Sequence, residues 1–122
     1  LNTNALILPG VVSSAELPVL YRLADTFVFP SLKEGWGLVL LEAIASGLPV
    51  ITSNQCPFTE FLTEQQAQLV DPGSISDLAQ AMVALSHPPV AQSLIQKSQS
   101  VLTHHTWQKS ANDHISHYQK FV

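Results

Sequence analysis

Four short apolar segments, separated by helical patterns, constrain the fold of this 122-residue chain more than any other feature. They cover residues 4–8, 26–29, 50–52 and 68–70, and turn-forming residues follow each of them. Strands that are apolar on both faces occur in parallel sheets that helices cover on both sides. The sequence therefore predicts an α/β fold in which helices flank a parallel sheet of about four strands.

Helical patterns fill the intervals between and after these segments. They cover residues 13–24, 37–46, 76–85, 90–102 and 107–121, with a short helix near Glu60. Ser13 and Ser14 are suitable N-caps for the first of these helices, and Gly47 is a suitable end for the second. We expect residues 1–122 to form a single domain that ends in helices from about residue 90 onwards.

Composition limits the classes of partner. The net charge is −4 and the five basic residues are scattered, which argues against a nucleic-acid partner. Cys56 is the only cysteine, so no intrachain disulfide can form. No apolar run approaches the ~20 residues of a membrane span. We expect a cytoplasmic protein. Peripheral attachment of the full enzyme to a membrane stays an open alternative.

The loops that follow the predicted strands should meet at one edge of the sheet. In parallel sheets, ligands bind beyond the carboxyl ends of the strands. Segments 9–10, 30–37, 53–59 and 71–74 all follow predicted strands. Glu34 and Glu42 lie within or just after the second of these segments, so this edge is the candidate binding site.

The sequence Glu-Gly-Trp-Gly precedes the helix that carries Glu42. The free N–H groups of residues 36–39 would attract a phosphate, and Gly35 and Gly37 permit close approach and positive φ. Ionised carboxylates accept hydrogen bonds from hydroxyls, as the vicinal diols of sugars require. This combination fits a nucleotide-sugar. The alternative is local: acidic residues favour helix N-termini for dipole reasons, and glycines serve turns.

Within this helix we expect Glu42 to lie off the buried face. The buried stripe that the apolar spacing predicts consists of Leu41, Ile44, Ala45 and Leu48.

The segment LYRLADTFVFPSLKEGWGLVLLEAIASGLPVITSN resembles the donor-binding half of retaining GT-B glycosyltransferases of glycosyltransferase family 4. The likeness rests on two glutamates separated by seven residues, inside a Pro-Ser…Glu-Gly-aromatic-Gly…Glu-Ala frame. It continues through AQLVDPGSISDLAQAM to TWQKSANDHISHYQKF. It implies a Rossmann-like sheet that forms part of a GT-B C-terminal domain.

The resemblance assigns roles residue by residue. Glu34 would contact the donor sugar, and Glu42 would hold the ribose hydroxyls. The backbone N–H groups that would bind sugar and phosphate belong to Gly35, Trp36, Gly37 and Leu38. Trp36 stands where the family usually has phenylalanine, and Phe58-Thr59-Glu60 stands where it often has Leu-Pro-Glu, which leaves any role for Glu60 in doubt.

The implied activity is transfer of a hexosyl unit from a nucleotide diphosphate sugar to a hydroxyl acceptor, with retention, in polysaccharide biosynthesis. The acceptor would be a glycan, a lipid or a small molecule, and neither a metal nor another cofactor is expected. The family's donor domain begins with two further βα units, and an acceptor-binding N-terminal domain precedes it. The resemblance therefore implies a domain truncated at its N-terminal side, whose isolated form is inactive.

Two other functions stay open at this point: a non-catalytic remnant or partner subunit of a GT-B protein, and an enzyme resembling a nucleotide-sugar epimerase. His114 and His117 are spaced to share a zinc ion, but surface histidines are the simpler interpretation. We expect Trp107 to anchor the last helix in a core, and Tyr21, Phe27, Phe29 and Tyr118 to serve packing.

Overall fold

The computed structural model describes residues 5–121. They form five α-helices and three strands, and the last three helices follow the last strand. In chain order they are α1 (Leu17–Leu23), β1 (Phe27–Phe29), α2 (Leu38–Ala45), β2 (Val50–Ser53), β3 (Gln68–Val70), α3 (Ile75–Leu85), α4 (Pro88–His104) and α5 (Trp107–Tyr118). Short 3₁₀ turns cover Phe58–Glu60 and Gln119–Phe121.

The sheet is parallel, with β2 between β1 and β3. Phe27 pairs with Val50, and Ile51 pairs with Gln68. All four residues of β2 are buried, as expected for the central strand of a sheet that is covered on both faces. The predicted α/β fold with a parallel sheet and flanking helices is therefore confirmed, as are the strands near residues 26–29, 50–52 and 68–70.

The prediction of about four strands is wrong for the described residues, in which three strands form. Ala5–Leu8 is not a strand, and Asn4 lies outside the described residues. Leu6, Ile7 and Leu8 expose 67%, 84% and 81% of their surface. A strand exists through hydrogen bonds to a neighbouring strand, and no strand among residues 5–121 lies beside this segment. The apolar pattern of a segment does not indicate whether a neighbouring strand is present to pair with it.

Helices cover the two faces of the sheet. Val50 and Ile51 are adjacent in β2, so their side chains point to opposite faces. Val50 belongs to a core cluster with Leu40 and Ile44 of α2, whereas Ile51 belongs to a second cluster with residues of α3. The long helix α4 contributes to both clusters. The sheet is therefore enclosed, and its carboxyl edge is left for the loops.

The buried stripe of α2 differs from the prediction. Ile44 and Leu48 are buried as expected, but Leu41 is only half-buried and Ala45 is exposed. Leu40 and Ala43 take their places in the core. The helix packs on α4 as well as on the sheet, and Gln99 of α4 donates to the carbonyl oxygen of Ile44 at 3.1 Å. The buried face of α2 is therefore shared between the sheet and α4.

A capping box begins the turn that leads into α1. The Ser13 N–H donates to Glu16 Oε2 at 2.9 Å, and the Glu16 N–H lies 3.3 Å from Ser13 Oγ. The Ser13 hydroxyl also donates to Glu16 Oε2 at 2.7 Å, and these bonds lower the pKa of the Glu16 carboxyl. Ser13 therefore caps this turn, whereas the N-cap position of α1 itself is Glu16, whose side chain makes no capping bond, so the predicted N-caps at Ser13 and Ser14 are wrong for α1.

The last helix does not pack as predicted. Trp107 exposes 85% of its surface and Tyr118 exposes 64%, so neither is a core residue. No residue of α5 is buried. Apolar residues at helical spacing become core only where another element covers them. By contrast, Tyr21, Phe27 and Phe29 pack against the cluster around Val50, as predicted.

Among residues 5–121, every helix is too short or too polar to cross a bilayer.

Candidate functional site

The loops after the three strands meet at the carboxyl edge of the sheet. Ser53 Oγ donates to the carbonyl oxygen of Ser31 at 2.6 Å. Gln55 Nε2 donates to the carbonyl oxygens of Ser31 at 3.2 Å and of Leu32 at 3.0 Å. The Asn54 N–H donates to the carbonyl oxygen of Val70 at 2.8 Å. These bonds join the end of β2 and the loop after it to the loop after β1 and to the last residue of β3. The predicted convergence of segments 30–37 and 53–59 therefore has a hydrogen-bonded basis, segment 71–74 follows the adjacent parallel strand, and segment 9–10 follows no described strand.

Gly37 begins α2 in a conformation that favours glycine. Its φ is +94°, in the left-handed region, and no side chain caps the helix there. A Cβ at this position would lie 2.8 Å from Cε1 of Phe58, which is buried. Gly37 is therefore required both by its backbone angle and by the packing beneath it.

Gly35 differs from Gly37. Glycine permits positive φ at both positions, but only Gly37 adopts it. A Cβ at Gly35 would meet no atom within 4 Å, so the space above this residue is open. Protein packing therefore does not require a glycine here, and the open space permits a ligand to approach the backbone.

The first turn of α2 offers unpaired backbone donors. The first N–H groups of a helix have no intrahelical acceptor, and here no side chain caps them. Leu38 is the first helical residue and is 56% exposed. The partial positive charge of the helix N-terminus adds to the attraction of these groups for an anion. The start of α2 can therefore bind a phosphate.

Glu34 is exposed in the loop before α2. Its Oε1 accepts a hydrogen bond from the N–H of Gly35 at 2.9 Å. This is the same N–H group that the resemblance assigns to a ligand. A ligand that accepts from Gly35 must therefore replace the Glu34 carboxylate, which would then be free to accept from a hydroxyl.

Trp36 lies in an aromatic cluster that the sequence did not reveal. Its ring stacks on Phe61 with centroids 4.7 Å apart and planes inclined by 6°. The His105 ring lies 5.2 Å from Trp36 and 5.6 Å from Phe61. His105 Nδ1 lies 2.8 Å from the carbonyl oxygen of Val101, which accepts the hydrogen bond. We call Trp36, Phe61 and His105 the aromatic clamp, because they connect the loop before α2 to the end of α4.

Glu42 lies on the exposed side of α2, as predicted. Its Oε2 accepts a hydrogen bond from the hydroxyl of Tyr21 at 3.0 Å. Partial burial, followed by this contact with the carboxylate, raises the pKa of Tyr21 to about 12. Among residues 5–121, no side chain or backbone group donates to the other oxygen of Glu42. Glu42 thus keeps acceptor capacity for a ligand.

Sequence reasoning missed three residues that contact the predicted site residues. Tyr21 was assigned to packing alone, although a partly buried phenol usually has a hydrogen-bond partner, which was the available signal. Phe61 and His105 are far from Trp36 in sequence, and no spacing indicates their contact. Among the described residues, no group of three or more His, Cys, Asp or Glu side chains is arranged to hold a metal ion.

Comparison with known proteins identifies the family. Residues 1–101 match the family described as "Glycosyl transferases group 1". This chain belongs to that family. It is a glycosyltransferase group 1 domain of the GT-B type, and its enclosed parallel sheet is consistent with a partial Rossmann-like domain.

Three relatives illustrate the similarity. The chain is 39% identical over 70 residues to the O-antigen chain mannosyltransferase B of Escherichia coli, covering 57% of this chain and 18% of the relative. It is 32% identical over 96 residues to a sulfoquinovosyl transferase of Arabidopsis thaliana, covering 75% and 19%. It is 31% identical over 113 residues to the GDP-mannose:cellobiosyl-diphosphopolyprenol alpha-mannosyltransferase of Komagataeibacter xylinus, covering 90% and 29%. The chain thus spans less than a third of the length of each.

Proposed function

We propose that this chain is the donor-binding part of a retaining glycosyltransferase of family 4, which transfers a hexosyl unit from a nucleotide diphosphate sugar to a hydroxyl acceptor. The observation that carries the proposal is the uncapped start of α2. It lies at the carboxyl edge of a parallel sheet, and exposed glutamates precede and follow it in sequence. Membership of the glycosyl transferases group 1 family supports the same conclusion.

The phosphate groups would occupy the start of α2. There the N–H groups of Trp36, Gly37 and Leu38 would donate to the diphosphate oxygens, and the open space at Gly35 admits the ligand to the backbone. As the bond between the sugar and the diphosphate breaks, negative charge grows on the leaving oxygen. Fixed N–H donors stabilise that charge without reorganising. This part of the chain would therefore assist the departure of the diphosphate.

The two glutamates would bind hydroxyl groups on either side of the diphosphate. Glu42 keeps an oxygen without a protein partner, which suits a ribose hydroxyl. Glu34 would exchange its bond to Gly35 for a hydroxyl of the donor sugar. We assign both residues to binding, and we assign no residue of this chain as a general base. No metal or other cofactor is part of the proposal.

The relatives suggest which donor to try first. Two of the three relatives named above are mannosyltransferases, and the name of one specifies GDP-mannose. The third is named for the transfer of sulfoquinovose, so the family alone does not determine the sugar. We propose a hexosyl donor, with GDP-mannose as the first candidate, and a role in polysaccharide biosynthesis. We also propose that a hydroxyl acceptor binds to an N-terminal domain of the same enzyme.

A second candidate is a non-catalytic donor half that completes a binding cleft with another polypeptide. The observation that favours it is the exposed apolar surface of α1 and the segment before it, where no residue of α1 is buried. The family match favours transfer over the epimerase alternative.

The proposed function predicts that GDP-mannose binds at the start of α2 and needs Glu42. Titration of isotopically labelled protein, followed by NMR, should shift the amide signals of residues 35–39 first. Replacing the charged acceptor in Glu42→Gln should weaken binding by about tenfold, since a hydrogen bond to a charged group contributes about 1.5–3 kcal/mol.

The matched control is Glu64→Gln, which alters an exposed glutamate in the turn before β3 and should leave the affinity unchanged. Signals that shift evenly over the surface, or equal affinities for the Glu42→Gln variant and the unaltered protein, would contradict the proposed function.

A further inference from the structure

One hydrogen bond connects α1 to the candidate binding site. The Tyr21 hydroxyl on α1 donates to Glu42 Oε2 on α2, at 3.0 Å. Among residues 5–121, no other side-chain hydrogen bond joins α1 to another helix or strand. The bond therefore ends on the carboxylate that the proposed function assigns to the ribose.

The ring of Tyr21 is held in place independently of this bond. It lies edge-on to Phe27, with centroids 5.5 Å apart and planes inclined by 62°. Phe27 in turn stacks on Phe29, whose ring meets the buried Phe58. Tyr21 also packs against the core cluster around Val50. The hydroxyl is thus anchored to the sheet, and it fixes the carboxylate rather than following it.

The phenol stays protonated at neutral pH, so it can donate to Glu42 continuously. Its pKa of about 12 follows from partial burial and from the neighbouring carboxylate. Glu42 itself is an exposed side chain with several rotatable bonds. Fixing one of its oxygens in advance removes part of the ordering entropy that a ligand would otherwise have to overcome.

We propose that Tyr21 is a positioning residue for nucleotide binding: its hydroxyl holds one oxygen of Glu42, so that the other oxygen is directed to a ribose hydroxyl. This inference rests on the proposed function. It also limits how Glu42 can bind the ribose diol, because only one of its two carboxylate oxygens is then wholly available to the ribose hydroxyls.

The test compares ribose with ribose lacking its hydroxyls. GDP and 2′,3′-dideoxy-GDP are titrated by NMR into four proteins: the unaltered chain, Tyr21→Phe, Glu42→Gln and the double variant. UDP and its dideoxy analogue are titrated in the same way as a second pair of ligands. Tyr21→Phe keeps the ring and removes only the hydroxyl. We expect it to weaken ribonucleotide binding roughly fivefold through lost preorganisation. It should leave the affinity for the dideoxy analogue unchanged, and it should add nothing when Glu42→Gln is already present.

Tyr118→Phe is the matched control, since Tyr118 is exposed on α5. Equal weakening of ribonucleotide and dideoxynucleotide binding by Tyr21→Phe would reveal a merely structural role and overturn this inference. If Glu42→Gln weakens binding but Tyr21→Phe does not, the inference fails and the proposed function stands. If neither GDP nor UDP binds, or Glu42→Gln has no effect, both fail.

Discussion

Gly35 and Gly37 occupy the same short motif, yet the fold requires only one of them to be glycine. Gly37 has φ +94° and leaves no space for a Cβ against Phe58. Gly35 has neither constraint. The sequence motif alone does not distinguish the two glycines, because both precede a helix. The structure separates a residue required by the fold from one at which a ligand can approach the backbone.

Gly37→Ala should therefore destabilise the protein. Positive φ costs a non-glycine residue about 1–2 kcal/mol, and overpacking against Phe58 adds about 1–3 kcal/mol. The free energy of unfolding, measured by denaturant titration, should fall by about 2 kcal/mol or more. Gly35→Ala is the matched control and should leave stability within about 0.5 kcal/mol. Equal losses in the two variants would contradict a requirement for glycine at position 37 alone.

At the scale of elements, the loop before α2 is held by contacts from both sides. Ser53 at the end of β2 and Gln55 just after it donate to carbonyl groups of this loop. The aromatic clamp attaches its Trp36 ring to Phe61 and to His105 at the end of α4. Both sets of contacts are made by protein groups alone, so they hold the loop without the help of a ligand. The start of α2 is therefore presented in a fixed orientation, which favours binding of an anion.

Loss of the aromatic clamp should expose Trp36. Phe61→Ala removes a stacked partner, and aromatic pairs contribute about 0.5–1.5 kcal/mol beyond the area that they bury. We expect a red shift of Trp36 fluorescence, measured in a Trp107→Phe background so that Trp36 is the only tryptophan, and excited at a wavelength that tyrosine does not absorb. Phe121→Ala, which alters an exposed ring near the C-terminus, should not change the emission. An unchanged spectrum in Phe61→Ala would show that the stack does not persist in solution.

At the scale of the whole molecule, charge works against the proposed ligand. The net charge is −4, and a nucleotide diphosphate is also an anion. Lys33 is the only basic residue of the described loops at the carboxyl edge, and the other four lie on helical segments. We therefore expect this chain to bind nucleotide-sugars weakly, with Lys33 supplying most of the local attraction.

Lys33→Gln should weaken GDP binding about threefold at low salt, because one charge near the diphosphate is lost, and the difference should shrink as salt is added. Lys97→Gln on α4 is the control, since each substitution changes the net charge from −4 to −5. NMR titrations at two ionic strengths measure both affinities. Equal effects of the two substitutions would indicate a response to total charge rather than to a local cation.

Local sequence patterns predicted the type of fold, the three strands of the sheet and the helices, and the structure confirms these. These features follow from apolar runs, helix caps and turn residues, which act over a few neighbouring residues. The strand expected at 4–8 does not form over the described residues 5–8, and Trp107 is exposed rather than buried, because strand pairing and burial depend on a distant partner. For the same reason, neither the Tyr21–Glu42 hydrogen bond nor the aromatic clamp could be predicted from the sequence. Such contacts depend on how the helices and the sheet pack together, since they join residues that no local pattern relates.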